Sequence, residues 1–295
     1  MATFNGANYL QAQLDSFSSQ SLLPDELVVC DDGSHDRTIG ILEAFRSKAP
    51  FDVQIHRNAS NLGYIKNFEK ALSLCGGEII FLSDQDDVWF DQRIERVAAA
   101  FDKNPQTMVV MNDQLIVNAD LKSNGVTKLE NMKRYGGAQR NFITGCCSAH
   151  RREWQDIVLP IPAEAPAHDT WINGLAHQLR TAIVLPDVLQ FYRRHASNAS
   201  QSLISSNNLV SPVQRLRRLN PFGLGTKGKQ GLEYRRAILQ RINEREKILY
   251  NLGLSESAAN LKSNIGHPET LLGISTIIFR SSLLRLSSVL SRGIR

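Results

Sequence analysis

Three carboxylates fall within four positions directly after an apolar, β-prone run. The segment reads Phe81-Leu82-Ser83-Asp84-Gln85-Asp86-Asp87-Val88-Trp89. Carboxylates this close repel one another unless a cation is present. Oxygen ligands of this type suit Mg²⁺ or Mn²⁺, which also bind substrate phosphates. A helix N-cap is the alternative, but a cap needs one carboxylate and the segment has three, so we favour a metal site.

A second acidic pair, Asp31-Asp32, follows another β-prone run and precedes Gly33. Such carboxylates accept hydrogen bonds from a nucleotide base N–H or from a ribose hydroxyl. The same three residues also suit an ordinary Asp-Gly turn. Taken alone, this motif does not separate the two interpretations.

Two polar segments lie further along the chain. Asp169 stands between His168 and Trp171, where a semi-apolar site would suit a general base. The alternative is a simple N-cap of the helix predicted over Thr170–Leu179, and this alternative is favoured when the segment is taken alone. The second segment is Tyr192-Arg193-Arg194-His195. Arginine suits diphosphate recognition and histidine can bind a metal, whereas the alternative is a solvated basic turn.

The elements that hold these segments alternate between strand and helix. Such alternation predicts βαβ units, and therefore an α/β fold with a mostly parallel sheet flanked by helices. In such sheets ligands lie beyond the carboxyl ends of the strands, so both acidic clusters should face one crevice. Helices are predicted over Asn8–Ser19, Thr38–Lys48, Gly63–Leu74 and Gln92–Lys103, and strands over Glu26–Cys30, Phe51–His56, Ile79–Leu82 and Met108–Met111.

The start of the chain is short for this architecture. A first strand should precede the Asn5-Gly6 turn, but only Met1-Ala2-Thr3 stand there. We expect a truncated first strand that lacks about five to eight residues, given usual strand lengths. Fewer hydrogen-bond partners would then remain at the sheet edge beside the base pocket.

Composition excludes several classes of protein. Apolar residues make up 42% of the 295 residues and charged residues 21%, which is ordinary globular usage. The four cysteines form no CxxC pair and no zinc spacing, so buried thiols in a reducing cytosol are expected. Neither a signal peptide nor an uninterrupted apolar run of about 18 residues is present, so we predict a cytoplasmic protein without a transmembrane helix.

The C-terminal third differs from the rest in charge and periodicity. Residues 201–295 carry 15 Lys and Arg against 5 Asp and Glu, which favours an anionic partner such as a membrane leaflet. No nucleic-acid-binding motif is present, so we expect no nucleic-acid partner. Helices are predicted over Leu232–Leu252 and Thr270–Leu290. The second is basic and amphipathic, which suits either peripheral membrane association or packing on the protein itself.

The order of these motifs closely resembles that of the family 2 glycosyltransferases with the GT-A fold, especially the bacterial rhamnosyltransferase-like members. The resemblance covers about residues 1–205, and it implies a catalytic domain there with a C-terminal helical region over 206–295. It rests on the segments already quoted together with Ala2-Thr3-Phe4-Asn5-Gly6 and Asn61-Leu62-Gly63.

The resemblance also implies a role for each site residue. The cofactor would be Mg²⁺ or Mn²⁺. The implied donor contacts are Phe4, Asn5, Asp31, Asp32, Asp84, Arg193 and Arg194. The implied metal ligands are Asp86, Asp84 and His195, the implied catalytic base is Asp169, and the implied acceptor contacts are Gly145, His168 and Trp171.

The implied reaction is inverting transfer of a sugar, with rhamnose from a dTDP donor as one candidate, to a hydroxyl of a glycan or lipid-linked acceptor in cell-surface polysaccharide synthesis. A nucleotidyltransferase is one alternative, but the Asn5-Gly6-Ala7-Asn8 turn lacks the basic residues of a phosphate loop. A catalytically silent nucleotide- or glycan-binding module is another, and the presence of Asp84, Asp86 and Asp169 argues against it. No GxGxxG follows the first strand, which disfavours a dehydrogenase.

Overall fold

Strand and helix alternate along the chain in the computed structural model, which describes residues 1–135, 142–196, 198, 209 and 224–266. The strands are β1 (Ala2–Thr3), β2 (Glu26–Asp31), β3 (Asp52–Arg57), β4 (Ile79–Phe81), β5 (Val88–Trp89), β6 (Val109–Asn118), β7 (Ser148–Arg151) and β8 (Ala182–Arg194). The helices are α1 (Leu10–Ser18), α2 (Thr38–Arg46), α3 (Tyr64–Leu74), α4 (Arg93–Lys103), α5 (Lys128–Arg134), α6 (Gln155–Val158), α7 (His168–Gln178), α8 (Leu224–Glu244), α9 (Glu246–Asn251) and α10 (Ser255–Gly266).

The described strands form two sheets. β1, β2 and β3 are parallel, because helical crossovers connect them. The second sheet has the order β4-β7-β6-β8-β5; β6 and β8 are parallel there and the other pairs are antiparallel. The amide of Ala2 donates to the carbonyl of Ser83 at 3.4 Å, which links the two sheets. The predicted α/β class is confirmed, with a parallel first sheet and a mixed second sheet.

Amphipathic helices cover the sheets and form the core. α1 buries Leu10, Leu14 and Phe17 in the same apolar cluster as Val29 of β2. α4 packs Val97, Ala100 and Phe101 in a second cluster, together with Val110, Ala149 and Leu189. Burial of each large apolar side chain contributes about 1.5–3 kcal/mol. These helices therefore fix the strands whose ends carry the polar clusters.

Most predicted elements are present with boundaries shifted by at most two residues. The strand predicted over Met108–Met111 is much longer and ends at Asn118. Its second half was not predicted because it contains buried polar residues. Buried Gln114 is an example, since its side chain donates to Cys147 Sγ at 3.7 Å. The helix predicted over Leu232–Leu252 is interrupted at Arg245, whose φ of −109° and ψ of 17° are not helical.

The chain divides into two compact units, Met1–Ala237 and Ile238–Arg295. Within the second unit, α9 and α10 contact each other, and Leu249, Leu254 and Leu261 are buried. The domain boundary predicted at residue 205 remains a prediction, and the helix predicted over residues 270–290 lies outside the described residues. In the part of the chain that the structure describes, each helix is too short or too polar to span a bilayer.

His150 on β7 is a titratable side chain in the core. It is fully buried, its ring nitrogens have no hydrogen-bond partner among the described residues, and burial lowers its pKa from 6.5 to about 4. Between these pH values the unfolded chain binds a proton at His150 and the folded chain does not. Its contribution to stability is therefore complete above pH 6.5 and is lost as the pH falls towards 4.

When the pH falls from 7 to 4, we expect the titration of His150 alone to lower the free energy of unfolding by about 3 kcal/mol. In urea unfolding at both pH values, His150→Leu should show a pH dependence smaller by about that amount. His35→Gln, at an exposed histidine, should keep the wild-type pH dependence. Equal pH dependence in His150→Leu and the wild type would contradict the assignment.

Candidate functional site

The acidic segment after β4 lies against the C-terminal end of β8. Asp86 Oδ2 accepts hydrogen bonds from His195 Nε2 at 2.8 Å and from Asn198 Nδ2 at 3.0 Å. Asp87 is buried, and its two carboxylate oxygens accept from the Arg193 amide at 3.0 Å and from a buried glutamine, Gln190, at 3.1 Å. The fold therefore brings together two motifs that lie about a hundred residues apart in the sequence.

The carboxylates of this segment are crowded. Burial, followed by the charges of Asp86, Asp87 and Asp169, raises the pKa of Asp84 well above its usual range. Burial, followed by the charge of Asp86, raises the pKa of Asp87 to about 7. A cation between them would remove this repulsion.

The free oxygens of the segment fit a hard divalent cation. None of the described residues donates a hydrogen bond to the Asp84 carboxylate or to Asp86 Oδ1, so these oxygens remain available. Asp84, Asp87 and Cys146 also place one ligand atom each within 4.8 Å of one another. Burial, however, raises the pKa of the Cys146 thiol well above its usual range, which leaves a protonated sulfur that suits Mg²⁺ or Mn²⁺ poorly. Asp84 is thus the one predicted metal ligand in this group, and the predicted ligand roles of Asp86 and His195 remain predictions.

Tyr9, just before α1, packs against the basic segment at the end of β8 and was missed by sequence reasoning. Its ring stacks on His195 at a centroid distance of 4.4 Å, and the Arg193 guanidinium lies 4.8 Å from its centroid on the ring face. Arg193 is buried and its Nε donates to the carbonyl of Asp86 at 2.7 Å. Arg194 instead donates to the Tyr192 hydroxyl at 3.1 Å. An aromatic residue beside the Asn5-Gly6 turn was the available signal.

The acidic pair after β2 organises the loops around it. Asp31 is fully buried and accepts from Thr3 Oγ1 at 2.9 Å and from the amide and hydroxyl of Ser34 at 2.8 and 2.5 Å. Asp32 accepts from the amides of Leu62 and Gly63 at 2.8 and 2.9 Å. Both carboxylates are thus engaged with the protein, and their predicted contacts with the donor remain predictions.

Phe4 lines a pocket between these loops, and Asn5 follows it in the chain. Phe4 is 43% exposed, and its backbone amide and carbonyl exchange hydrogen bonds with the Gln85 side chain at 2.9 and 3.0 Å. Asn5 adopts a left-handed backbone with φ of 48°, and its side chain accepts from the His35 amide. The pocket is lined by Phe4, Gly33, His35, Arg57, Asn58, Ala59, Ser60 and Asn61. Its aromatic side chain and exposed polar groups would suit a nucleotide base.

Asp169, in the first turn of α7, lies beside the loop before β7. Its Oδ2 accepts from the Gly145 amide at 3.2 Å and its Oδ1 from the Thr170 amide at 2.6 Å. The carboxylate is half-buried and lies within electrostatic reach of Asp84. A base for an acceptor hydroxyl would need this partly open position close to the acidic segment.

The other predicted acceptor residues have different environments. The buried His168 ring stacks on Phe68 at 4.0 Å, and burial lowers its pKa although the charge of Asp169 raises it. Trp171 is fully buried and its indole nitrogen donates to the Val158 carbonyl at 2.7 Å. Trp171 packs in the core, because a helix directs residues two positions apart away from each other, and its predicted acceptor contact stays a prediction. Tyr234, which sequence reasoning missed, donates from its hydroxyl to the Thr170 carbonyl at 2.9 Å.

Gly145 is required by close packing against α7. A Cβ at this position would lie 2.6 Å from His168 Nε2 and 3.4 Å from Asp169 Cβ. We expect Gly145→Ala to displace the loop and lower turnover about tenfold or more, since small displacements of reacting groups are costly. Gly174→Ala on α7 is the control, because its added Cβ meets Ile143 at an ordinary 3.5 Å. Wild-type kcat/KM in Gly145→Ala would contradict this role.

Two sheets flanked by helices, with a crowded aspartate segment after β4 and a half-buried carboxylate nearby, define a glycosyltransferase of the GT-A fold. The family model for Glycosyl transferase family 2 matches residues 1–156, just over half of the chain, and the protein belongs to that family.

Relatives and solved structures agree with this assignment. The chain is 33% identical to the dTDP-rhamnosyl transferase RfbG of Shigella flexneri over 99 residues, which are 32% of this chain and 34% of that protein. It spans only 57% of the length of the mycobacterial relatives that it matches at 27% identity. Staphylococcus aureus TarS 1–349 in complex with UDP has a TM-score of 0.54 at 18% identity, with 89% of each chain covered. The Pyrobaculum calidifontis mannosyltransferase PcManGT, in complex with GDP-Man and Mn²⁺, has a TM-score of 0.52 at 16% identity, with 96% of this chain and 78% of that chain covered.

Proposed function

We propose that the protein is a metal-dependent, inverting glycosyltransferase. It moves a sugar from a nucleoside-diphosphate donor to a hydroxyl of a glycan or lipid-linked acceptor in cell-surface polysaccharide synthesis. The observation that carries the proposal is the position of the acidic segment between two other groups. Asp86 accepts a hydrogen bond from His195. Asp84 lies within electrostatic reach of Asp169, which accepts a hydrogen bond from the Gly145 amide.

The donor proposal draws on the pocket at the strand ends and on the comparisons. The base would lie against Phe4 and Arg57, and the diphosphate would extend towards Asp86. UDP and GDP-Man bind the structural neighbours named above, and a dTDP-rhamnosyl transferase is among the relatives. We propose a nucleoside-diphosphate sugar as the donor and retain dTDP-rhamnose as the first candidate.

Asp84 and Asp86 would hold Mg²⁺ or Mn²⁺, with His195 completing the site or orienting Asp86. The Mn²⁺ in the mannosyltransferase complex supports this choice of cofactor. When bound, such an ion stabilises negative charge on a departing diphosphate. Arg193 would support it by fixing the Asp86 backbone, since its Nε donates there at 2.7 Å.

Asp169 would act as the general base. Its carboxylate takes the proton of the acceptor hydroxyl as that oxygen forms a bond to the anomeric carbon. The bond from the anomeric carbon to the diphosphate oxygen breaks, and the nucleoside diphosphate leaves with the electron pair. One displacement inverts the anomeric centre, and no covalent enzyme intermediate forms.

The site argues against two alternative functions, and the proposal also includes a location in the cell. A nucleotidyltransferase would have no use for the carboxylate of Asp169 beside Gly145, and a silent binding module would not need the crowded Asp84–Asp87 segment. Work at the cytoplasmic face of the membrane would suit a lipid-linked acceptor. The basic residues beyond 266 would supply peripheral attachment there.

Calorimetric titration with UDP, dTDP and GDP, each with and without Mn²⁺, tests the proposal. We expect one diphosphate to bind tightly only with the metal, and its nucleotide sugar to be consumed when acceptors are supplied. A product that keeps the anomeric configuration of the donor would contradict inversion. Failure of all three diphosphates to bind with Mn²⁺ would contradict the transferase site itself.

A further inference from the structure

Lys128, at the start of α5, is a buried cation beside the proposed site. It is 6% exposed, and no carboxylate of a described residue lies within 4.0 Å of its ammonium group. The closest partner of that group is an aromatic face, the Tyr192 ring, whose centroid lies 4.5 Å from Lys128 Nζ. Buried lysines are rare unless they are paired, because removing the charge from water is costly. The position of Lys128 therefore needs an explanation beyond packing.

The backbone around Lys128 is fixed in place. Thr127 caps α5 by accepting from the Glu130 amide at 3.1 Å, and Asp113 of β6 accepts from the Leu129 amide at 2.9 Å. A β-bridge also joins Leu115 to Thr127. These contacts fix the backbone on both sides of Lys128 against the second sheet, so its side chain starts from a defined position.

The ammonium group lies within electrostatic reach of both functional carboxylates, Asp84 and Asp169. Tyr192, which it contacts, packs in one apolar cluster with Cys146. The Cys146 thiol belongs to the group of ligand atoms with Asp84, and the neighbouring amide of Gly145 binds Asp169. Lys128 is thus connected to Asp84 through Tyr192 and Cys146, and to Asp169 through the neighbouring Gly145.

The electrostatics agree with this position. Burial lowers the pKa of Lys128, but Tyr192, the two neighbouring thiols and Asp169 together raise it above its ordinary value. Lys128 in turn acts to lower the pKa of Asp84. The Lys128 side chain is therefore a charged hydrogen-bond donor. It interacts electrostatically with Asp84 and Asp169 but forms a close ion pair with neither carboxylate.

In the proposed reaction, the space between Asp84 and Asp169 must hold the donor sugar, since the first lies by the diphosphate and the second by the anomeric carbon. We propose that the Lys128 ammonium group donates a hydrogen bond to a hydroxyl of the donor sugar and helps to select that sugar. This inference rests on the proposed transferase function. It assigns a contact with the sugar and not with the diphosphate.

The test compares a nucleoside diphosphate with its own nucleotide sugar. The pairs are UDP with UDP-glucose, dTDP with dTDP-rhamnose and GDP with GDP-mannose, each titrated with Mn²⁺ into the wild type and Lys128→Met. For the pair that the wild type binds best, we expect the variant to lose about tenfold or more in affinity for the nucleotide sugar, as for a lost charged hydrogen bond. Its affinity for the diphosphate should stay within about twofold.

The controls separate the possible outcomes. Lys133→Met removes the same charge from an exposed position on α5 and should change neither affinity. If circular dichroism shows that Lys128→Met is unfolded, Lys128→Gln, which keeps an N–H donor, takes its place. Lys128→Gln should lower the affinity for the nucleotide sugar but not the affinity for the diphosphate. Equal losses for diphosphate and nucleotide sugar, or no loss, would overturn the inference and leave the transferase proposal standing. If the wild type binds no diphosphate, the proposed function fails and this inference fails with it.

Discussion

Asp169→Asn should abolish sugar transfer while donor binding persists. The amide keeps the size of the carboxylate but takes up no proton from an acceptor hydroxyl. Loss of a general base lowers turnover by about 10²–10⁴-fold. We expect kcat to fall by about 10³-fold, with the affinity for the nucleoside diphosphate changed by less than about twofold, because Asp169 lies beyond the phosphate-binding segment.

Asp156→Asn, at an exposed aspartate in α6, is the matched control and should retain full turnover. Thermal unfolding of both variants checks that the loop around Gly145 survives, since Asp169 Oδ2 accepts from the Gly145 amide. If Asp169→Asn keeps more than about a tenth of the wild-type turnover, the base is another group.

Asp86→Asn should remove metal-dependent donor binding. The amide still accepts a hydrogen bond from His195 or Asn198, but it lacks the charge that a divalent cation requires. We expect the affinity for the nucleoside diphosphate in Mn²⁺ to fall by about 100-fold, which corresponds to about 2.7 kcal/mol. Calorimetry with and without EDTA measures this loss, and the wild type in EDTA should resemble the variant.

The exposed Asp102 supplies a control through Asp102→Asn, which should bind as the wild type does. Circular dichroism should detect no unfolding of Asp86→Asn, because Asp87 and Arg193 still hold the segment. Tight binding by Asp86→Asn, together with no effect of EDTA on the wild type, would exclude a metal at this site.

The strands that precede the two acidic segments followed from sequence, because a β-prone run bounded by turn residues is a local signal. That Asp32 and Asp84 face one crevice stays a prediction, since β2 and β4 belong to different sheets and β4 pairs antiparallel with β7. Helix periodicity could also have placed Trp171 in the core, since it stands two positions after Asp169 on α7.

β8 could not be predicted in the same way. Pro186 interrupts its apolar pattern, and proline within a run argues against a strand. The structure accommodates it with a shift in register: Asn112 pairs with Leu185 and Asp113 with Val188, so two residues of β8 are skipped. Without that strand, neither the contact of Arg193 with Asp86 nor the stack on Tyr9 follows from the sequence, because both depend on long-range packing.

The hydrogen bonds that Asp31 and Asp32 accept have a consequence for the kinetics of nucleotide binding. Their hydrogen bonds to the Ser34, Leu62 and Gly63 amides already order the loops around the base pocket. A nucleotide that enters this pocket has little backbone to immobilise, so its association should resemble rigid docking rather than induced fit. Differences in affinity among nucleotides should then appear mainly as differences in residence time.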